Sequence, residues 1–274
     1  MIRIPTLVAA LALVVAGLVP AAGARAAADL DRRVQTATWV LEDLQKIPEQ
    51  AIPPNLLNSA YAIAILPNVT KAGFIVGGSY GKGVLLVRQG DGSWSNPSFI
   101  KLANVGIGWQ AGVQGSDLIL VFKTERGVEN IARGKFTLGG SAAASAGPVG
   151  RTAAAMTDGE FKAEIYTYAR SRGLFAGVSL DGGAITIDQV ANANWYGGAP
   201  DTTASTIFTN PGLAAPAPAA DLKTTLSAMA PRVDWKGSAL ASNGATAPAP
   251  APATEAPASK TYAIEDDSAP ETRF

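Results

Sequence analysis

The chain has 274 residues, with 22 Lys plus Arg against 22 Asp plus Glu, and neither His nor Cys. Such balance lacks the basic footprint of a nucleic-acid binder. Without imidazole or thiol, Ser-His-Asp and Cys-His catalysis and zinc sites built from Cys and His are excluded, as are disulfides and a lipid-modified lipobox Cys.

Residues 1–26 read as an export signal. Arg3 supplies the positive start, Leu7 to Val19 an apolar run, and Ala24-Arg25-Ala26 and Ala26-Ala27-Ala28 two small-x-small cleavage sites. Cleavage after Ala26 removes Arg3 and Arg25 from the 22 basic residues, leaving 20 against 22 acidic ones. A periplasmic or secreted protein is therefore expected.

In the mature region, Leu30, Val34, Ala37, Val40, Leu41, Leu44 and Ile47 share one face at helical spacing, predicting a helix over Asp29–Ile47 that Pro48 stops. Trp39 lies on its polar face, where it suits packing against a neighbouring element or, alternatively, contact with a membrane surface. A second helix is expected from Pro54 to Leu66, ended by Pro67.

From Ala72 the texture is β and glycine-rich. Phe74–Ser79 and Gly83–Arg88 read as strands joined by a Gly-Lys turn, and Gln89-Gly90-Asp91-Gly92 as a hairpin turn. Val105, Ile107, Trp109, Ala111 and Val113 alternate with Gly106, Gly108, Gln110, Gly112 and Gln114, predicting one strand with a nearly bare face. Rows of glycine mark close backbone approach, curvature or ligand contact. Asp117–Phe122 reads as a strand buried on both faces. A helix over Glu125–Arg133 and strands over Lys135–Gly147, Ala163–Ala169, Leu174–Leu180 and Ala184–Asp188 follow, before helices near Val190–Tyr196 and Asp221–Met229. The expected fold is α+β: one domain over residues 27–230, a largely antiparallel, twisted, glycine-rich sheet or a sandwich or half-barrel, packed by several short helices. Residues 231–274 contain an Ala-Pro-Thr run and an acidic end, a composition that predicts a disordered tail.

Two glycine motifs fail as nucleotide sites. Gly81-Lys82 is followed by Gly83, where a phosphate loop needs Ser or Thr. Gly106-x-Gly108-x-x-Ala111 continues as strand where a dinucleotide fingerprint needs a helix. The acids Asp117, Glu125, Glu129, Glu164, Asp181 and Asp188 fall mainly at turns and helix starts, ordinary places for capping carboxylates. A non-catalytic protein needing no cofactor or metal is expected.

The order of motifs resembles the SYLF-domain family. It is carried by Ile52-Pro53, Ala64-Ile65-Leu66-Pro67, Lys71-Ala72-Gly73-Phe74, Gly81-Lys82-Gly83-Val84 and Asp91-Gly92-Ser93-Trp94-Ser95-x-Pro97-Ser98. Ser116-Asp117-Leu118-Ile119, Leu138-Gly139-Gly140, Ala146-Gly147-Pro148-Val149-Gly150-Arg151 and the run from Tyr168 to Leu180 follow in order. The resemblance implies lipid binding, since eukaryotic members bind phosphoinositide membranes and fungal members also bind and bundle actin. It implies a membrane-binding role for the region of the Asp29–Ile47 helix. With an export signal in front, the expected function becomes binding of phospholipid, fatty acid or a membrane surface in a bacterial envelope, with actin an unlikely partner. The alternative is a structural or protein-interaction module of the envelope. Candidate ligand contacts are the cations Lys71, Lys82, Arg88, Arg151, Arg170 and Arg172, with Trp109 and Phe175. For each cation a surface or structural ion pair is the plainer reading.

Overall fold

The computed structural model describes residues 25–44, 46, 51–73, 76–107, 112–133, 136–138, 144–149, 162–171, 174–177, 183–198, 202–210 and 212–231. Residues 1–24 of the expected export signal and 232–274 of the expected tail lie outside them.

Helix α1 covers residues 25–44 and buries Leu30, Val34, Ala37, Leu41 and Leu44, the stripe its spacing predicts. Helix α2 is one short turn, Pro54–Asn58. The strands are β1 (Ala62–Gly73), β2 (Val76–Val87), β3 (Ser98–Ile107), β4 (Gly112–Phe122), β5 (Phe136–Thr137), β6 (Ala144–Ala146), β7 (Ile165–Ser171), β8 (Leu174–Gly177) and β9 (Ala184–Ile187). Helix α3 (Glu125–Ala132) follows β4, and α4 (Gln189–Trp195), α5 (Ala204–Thr209) and α6 (Ala217–Met229) follow β9. The strands form one sheet in the order β5-β9-β3-β2-β1-β4-β7-β6, with β8 added on β7. Every pairing is antiparallel except β6 with β7. This is the expected α+β domain with a largely antiparallel sheet.

Three sequence expectations change. The second helix stops at Asn58, and Ala62–Leu66 is the start of the central strand β1. These residues are fully buried between β2 and β4. Their apolar run satisfies two covered faces, and helix propensity yields to that burial. Pro67 does not end a helix; it sits where the register of β1 slips against both neighbours, a bulge that tolerates a residue unable to donate to the ladder. Next to it Asn68 adopts φ of 52°, and its N–H donates to Asp117 Oδ1 at 2.9 Å.

The second change merges the expected strands Phe74–Ser79 and Gly83–Arg88: Val76–Ser79 and Gly83–Val87 lie in one strand, β2, with no turn at Gly81-Lys82. The third divides the expected strand over Val105–Gln114, because β3 ends at Ile107 and β4 begins at Gly112. Gly112, Gly73, Gly77 and Gly106 are aligned in register across β4, β1, β2 and β3. The bare positions thus come from four strands.

Both faces of the sheet are covered. On one, Gly127 of α3 comes so close to Phe122 that a Cβ there would stand 2.9 Å from its ring, and Phe122 packs on Phe136 with centroids 6.0 Å apart. On the other, Trp195 of α4 meets Phe99 edge to face at 5.2 Å and donates its indole N–H to Asp31 of α1 at 2.7 Å. Asn192 accepts from the Phe99 N–H at 2.7 Å and donates to Ser98 Oγ at 3.0 Å, which fastens α4 to β3. Gly147 lets the chain run across the Tyr168 ring, whose hydroxyl donates to the Pro148 carbonyl at 3.2 Å.

Candidate functional site

Where α1 lies over the β1 bulge, an open cleft of about 310 Å³ forms. Asp29, Arg32, Arg33 and Thr36 line it from α1; Pro67, Asn68 and Thr70 from β1; and Tyr80, Gly81 and Lys82 from β2. Tyr80 and Lys82 are two apart on a strand and therefore share a face. The Tyr80 side is half exposed, at 50%.

The cations of this cleft differ in how they are held. Arg32 reaches Asp29 at 2.8 Å, an exposed pair one helical turn apart. Arg33 lies with its guanidinium 5.4 Å from the centre of the Phe99 ring, and its Nη1 is closed off from water with no hydrogen-bond acceptor among the described residues. Burial pushes its pKa below the ordinary arginine value, while Asp188, Tyr80 and Asp29 pull it back. Lys82 is exposed and has no hydrogen-bond or ion-pair partner among the described residues. Its cross-strand neighbour Lys101 is engaged by Asp188 at 3.0 Å.

One chain of charges holds both walls. Arg170 of β7 pairs with Asp43 of α1 at 2.6 Å and with Asp117 of β4 at 3.4 Å. Asp117 is also the carboxylate that accepts from the Asn68 N–H. Asp43 is held below its usual carboxylate pKa, first by the Lys46 hydrogen bond and then by Arg170. A lowered carboxylate pKa means stability that is fully present above about pH 4 and lost as the pH falls further. Arg170→Met is expected to lower stability by about 1–2 kcal/mol at neutral pH. Its thermal melts should converge on those of the unaltered chain towards pH 3; parallel curves across that range would refute the clasp.

The residues singled out in sequence are scattered. Lys82 lies in the cleft. Arg170 stands at its back, occupied by two carboxylates. Arg88 is only 4% exposed and serves the interior: it donates to the carbonyls of Ala60, Gly92, Leu57 and Ala230, with its guanidinium 4.3 Å from the Trp94 ring centre. Burial lowers its pKa to about 10, which leaves it charged at neutral pH. Lys71 falls in β1 opposite Ser79 and Gln114, and Phe175 in β8 opposite Arg170. Trp109, Arg151 and Arg172 lie outside the described residues. Trp39 is 57% exposed on α1. Sequence reading missed Arg32, Arg33 and Tyr80. The adjacent arginines near the start of an amphipathic helix were visible, but nothing local tied them to residues some fifty positions on. Among the described residues no group of three His, Cys, Asp or Glu could hold a metal ion.

These features define a class: an α+β domain on one glycine-rich, largely antiparallel sheet, with a basic cleft under its first helix. The chain belongs to the SYLF-domain family, and the family model described as "Ysc84: Las17-binding protein actin regulator" matches residues 103–229. It is 40% identical over 176 residues to LAS seventeen-binding protein 3 of Saccharomyces cerevisiae, covering 63% of this chain and 37% of that protein. It is 40% identical over 151 residues to the SH3 domain-containing YSC84-like protein 1 of Xenopus laevis, covering 55% of this chain and 45% of that one. Protein YSC84 of Saccharomyces cerevisiae is 42% identical over 153 residues, 54% of this chain and 32% of its own length. The chain thus spans half or less of these relatives.

The matches correct the functional expectation. The relatives sharing this region are eukaryotic proteins, one of them named for Las17 binding, and the family model is described as a Las17-binding actin regulator. A lipid or membrane-surface binder of a bacterial envelope, and the envelope module offered as its alternative, are both overturned. So are the phospholipid or fatty-acid partner and the dismissal of actin.

Proposed function

We propose that this domain is a non-catalytic protein-interaction module of the actin-regulatory class, and that it docks its protein partner on the basic cleft between α1 and β2. Three cations against one carboxylate, on walls fixed by Arg170 and Asp117, carry this reading. Arg and Tyr at an open cleft are the residue types that dominate protein interfaces. The names of the relatives supply the class of partner. The chain's lack of His and Cys supports a binding rather than a catalytic role.

Co-sedimentation of the full chain with filamentous actin, and capture by immobilised Las17, test it. Binding to at least one is expected at roughly 50 mM salt, weakening severalfold by roughly 300 mM as charges are screened. Failure with both at the lower salt overturns the proposal.

A further inference from the structure

We infer that the cleft receives a carboxylate side chain from an acidic segment of the protein partner, seated between Arg33 and Lys82 with Tyr80 as its aromatic wall. This rests on the reading of the domain as a protein-interaction module and names the chemistry of its contact.

Arg33 carries the first part of the argument. A guanidinium taken partly out of water, with one nitrogen lacking any acceptor among the described residues, is desolvated at a cost that Asp188 and Asp29 offset only in part. Its Cζ stands 5.4 Å from the centre of the Phe99 ring. Lys82, across the cleft, has no partner among the described residues. A carboxylate placed between them would answer both, because an anion accepts from guanidinium and ammonium alike.

The remaining donors decide between a carboxylate and a phosphate group. Many phosphate sites add backbone N–H groups converging in a nest to their side-chain cations. Here the Asn68 N–H, the one set at positive φ, already donates to Asp117, and Thr36 Oγ1 donates to the Arg32 carbonyl at 2.7 Å. The cleft therefore offers side-chain cations and an exposed aromatic edge. That is the make-up of a protein contact, and an acidic segment has the complementary charge. Asp29 opposes it: it stands on the rim, shares a sign with the incoming group and draws Arg32 aside.

Fluorescence anisotropy with a labelled octaglutamate peptide and the full chain at low salt tests the inference. Lys82→Glu and Arg33→Met should each weaken binding about tenfold, and Asp29→Asn should tighten it by about two- to fivefold. The gain of binding cannot come from misfolding, and thermal melts check the folding of the other two variants. Unchanged affinity in Lys82→Glu and Asp29→Asn overturns the site. So does a chain that ignores the peptide but binds inorganic phosphate or phosphatidylglycerol vesicles through Lys82. If actin or Las17 binds and Lys82→Glu leaves that binding intact, the interaction module stands and this docking site falls. If octaglutamate binds as described while neither protein does, the docking chemistry stands and the actin-regulatory assignment falls.

Discussion

Gly83→Ala is expected to destabilise the domain by at least about 3 kcal/mol. A Cβ at this position would lie 2.1 Å from the Ile65 carbonyl oxygen and 2.7 Å from Leu66 Cα. Both are backbone atoms at the entry to the β1 bulge, so no rotamer change can relieve the overlap. Two neighbours calibrate the effect. At Gly81 the new methyl would meet Val69 Cγ2 at 2.6 Å, the end of a side chain, and about 1–2 kcal/mol is expected. At Gly90 nothing lies within 4 Å, and alanine should be neutral or slightly stabilising, within about 1 kcal/mol. Thermal melts followed by circular dichroism rank the three. In a domain of this size each kcal/mol moves the midpoint by roughly 2–4 °C, so Gly83→Ala should fall by about 10 °C or fail to fold. Equal melting of the three variants would remove the close approach of β1 and β2 as the reason for this glycine.

Arg88→Met should cost about 3–5 kcal/mol. Methionine keeps an apolar stem but none of the five N–H donors. Nε donates to the Ala60 carbonyl at 3.1 Å, Nη1 to Gly92 at 3.2 Å and Ala230 at 3.4 Å, and Nη2 to Leu57 at 3.1 Å. These carbonyls close the α2 turn, the hairpin after β2 and the last turn of α6, so one guanidinium joins three chain ends over the Trp94 ring. Arg88→Lys should lie close to Arg88→Met, because a single ammonium cannot reproduce the planar fork. A midpoint within about 2 °C of the unaltered chain for Arg88→Met would show that water replaces these bonds. Neither variant changes the cleft residues, so loss of partner binding without loss of stability would place Arg88 in the interface.

The family motifs acquire physical reasons from the same contacts. Asp91 accepts from the Ser93 N–H at 2.9 Å while Gly92 takes φ of 84°, which closes the hairpin. Ser95 Oγ accepts from the Val87 N–H, Pro97 accepts from the Tyr196 hydroxyl, and Ser98 accepts from Asn192. That motif is scaffolding around Arg88 and α4. The sheet-forming runs were legible for a related reason: Leu118 to Phe122 has no polar residue to place outside, so it must lie between two covered faces. Ala62–Leu66 obeys the same rule, but Pro67 made it resemble the end of a helix, and only the bulge explains the proline.

By itself the amino-acid sequence determined the helical stripe of α1, the buried β4, the largely antiparallel α+β plan and the family, because each depends on local period or on motifs in fixed order. It could not determine which cations face a partner. Arg88 finds its carbonyls 28, 31 and 142 positions away, and Arg170 finds Asp117 53 positions away. Those distances in chain become contacts only when the sheet assembles, which turns Arg88 and Arg170 inward and leaves Arg33 and Lys82 at the cleft.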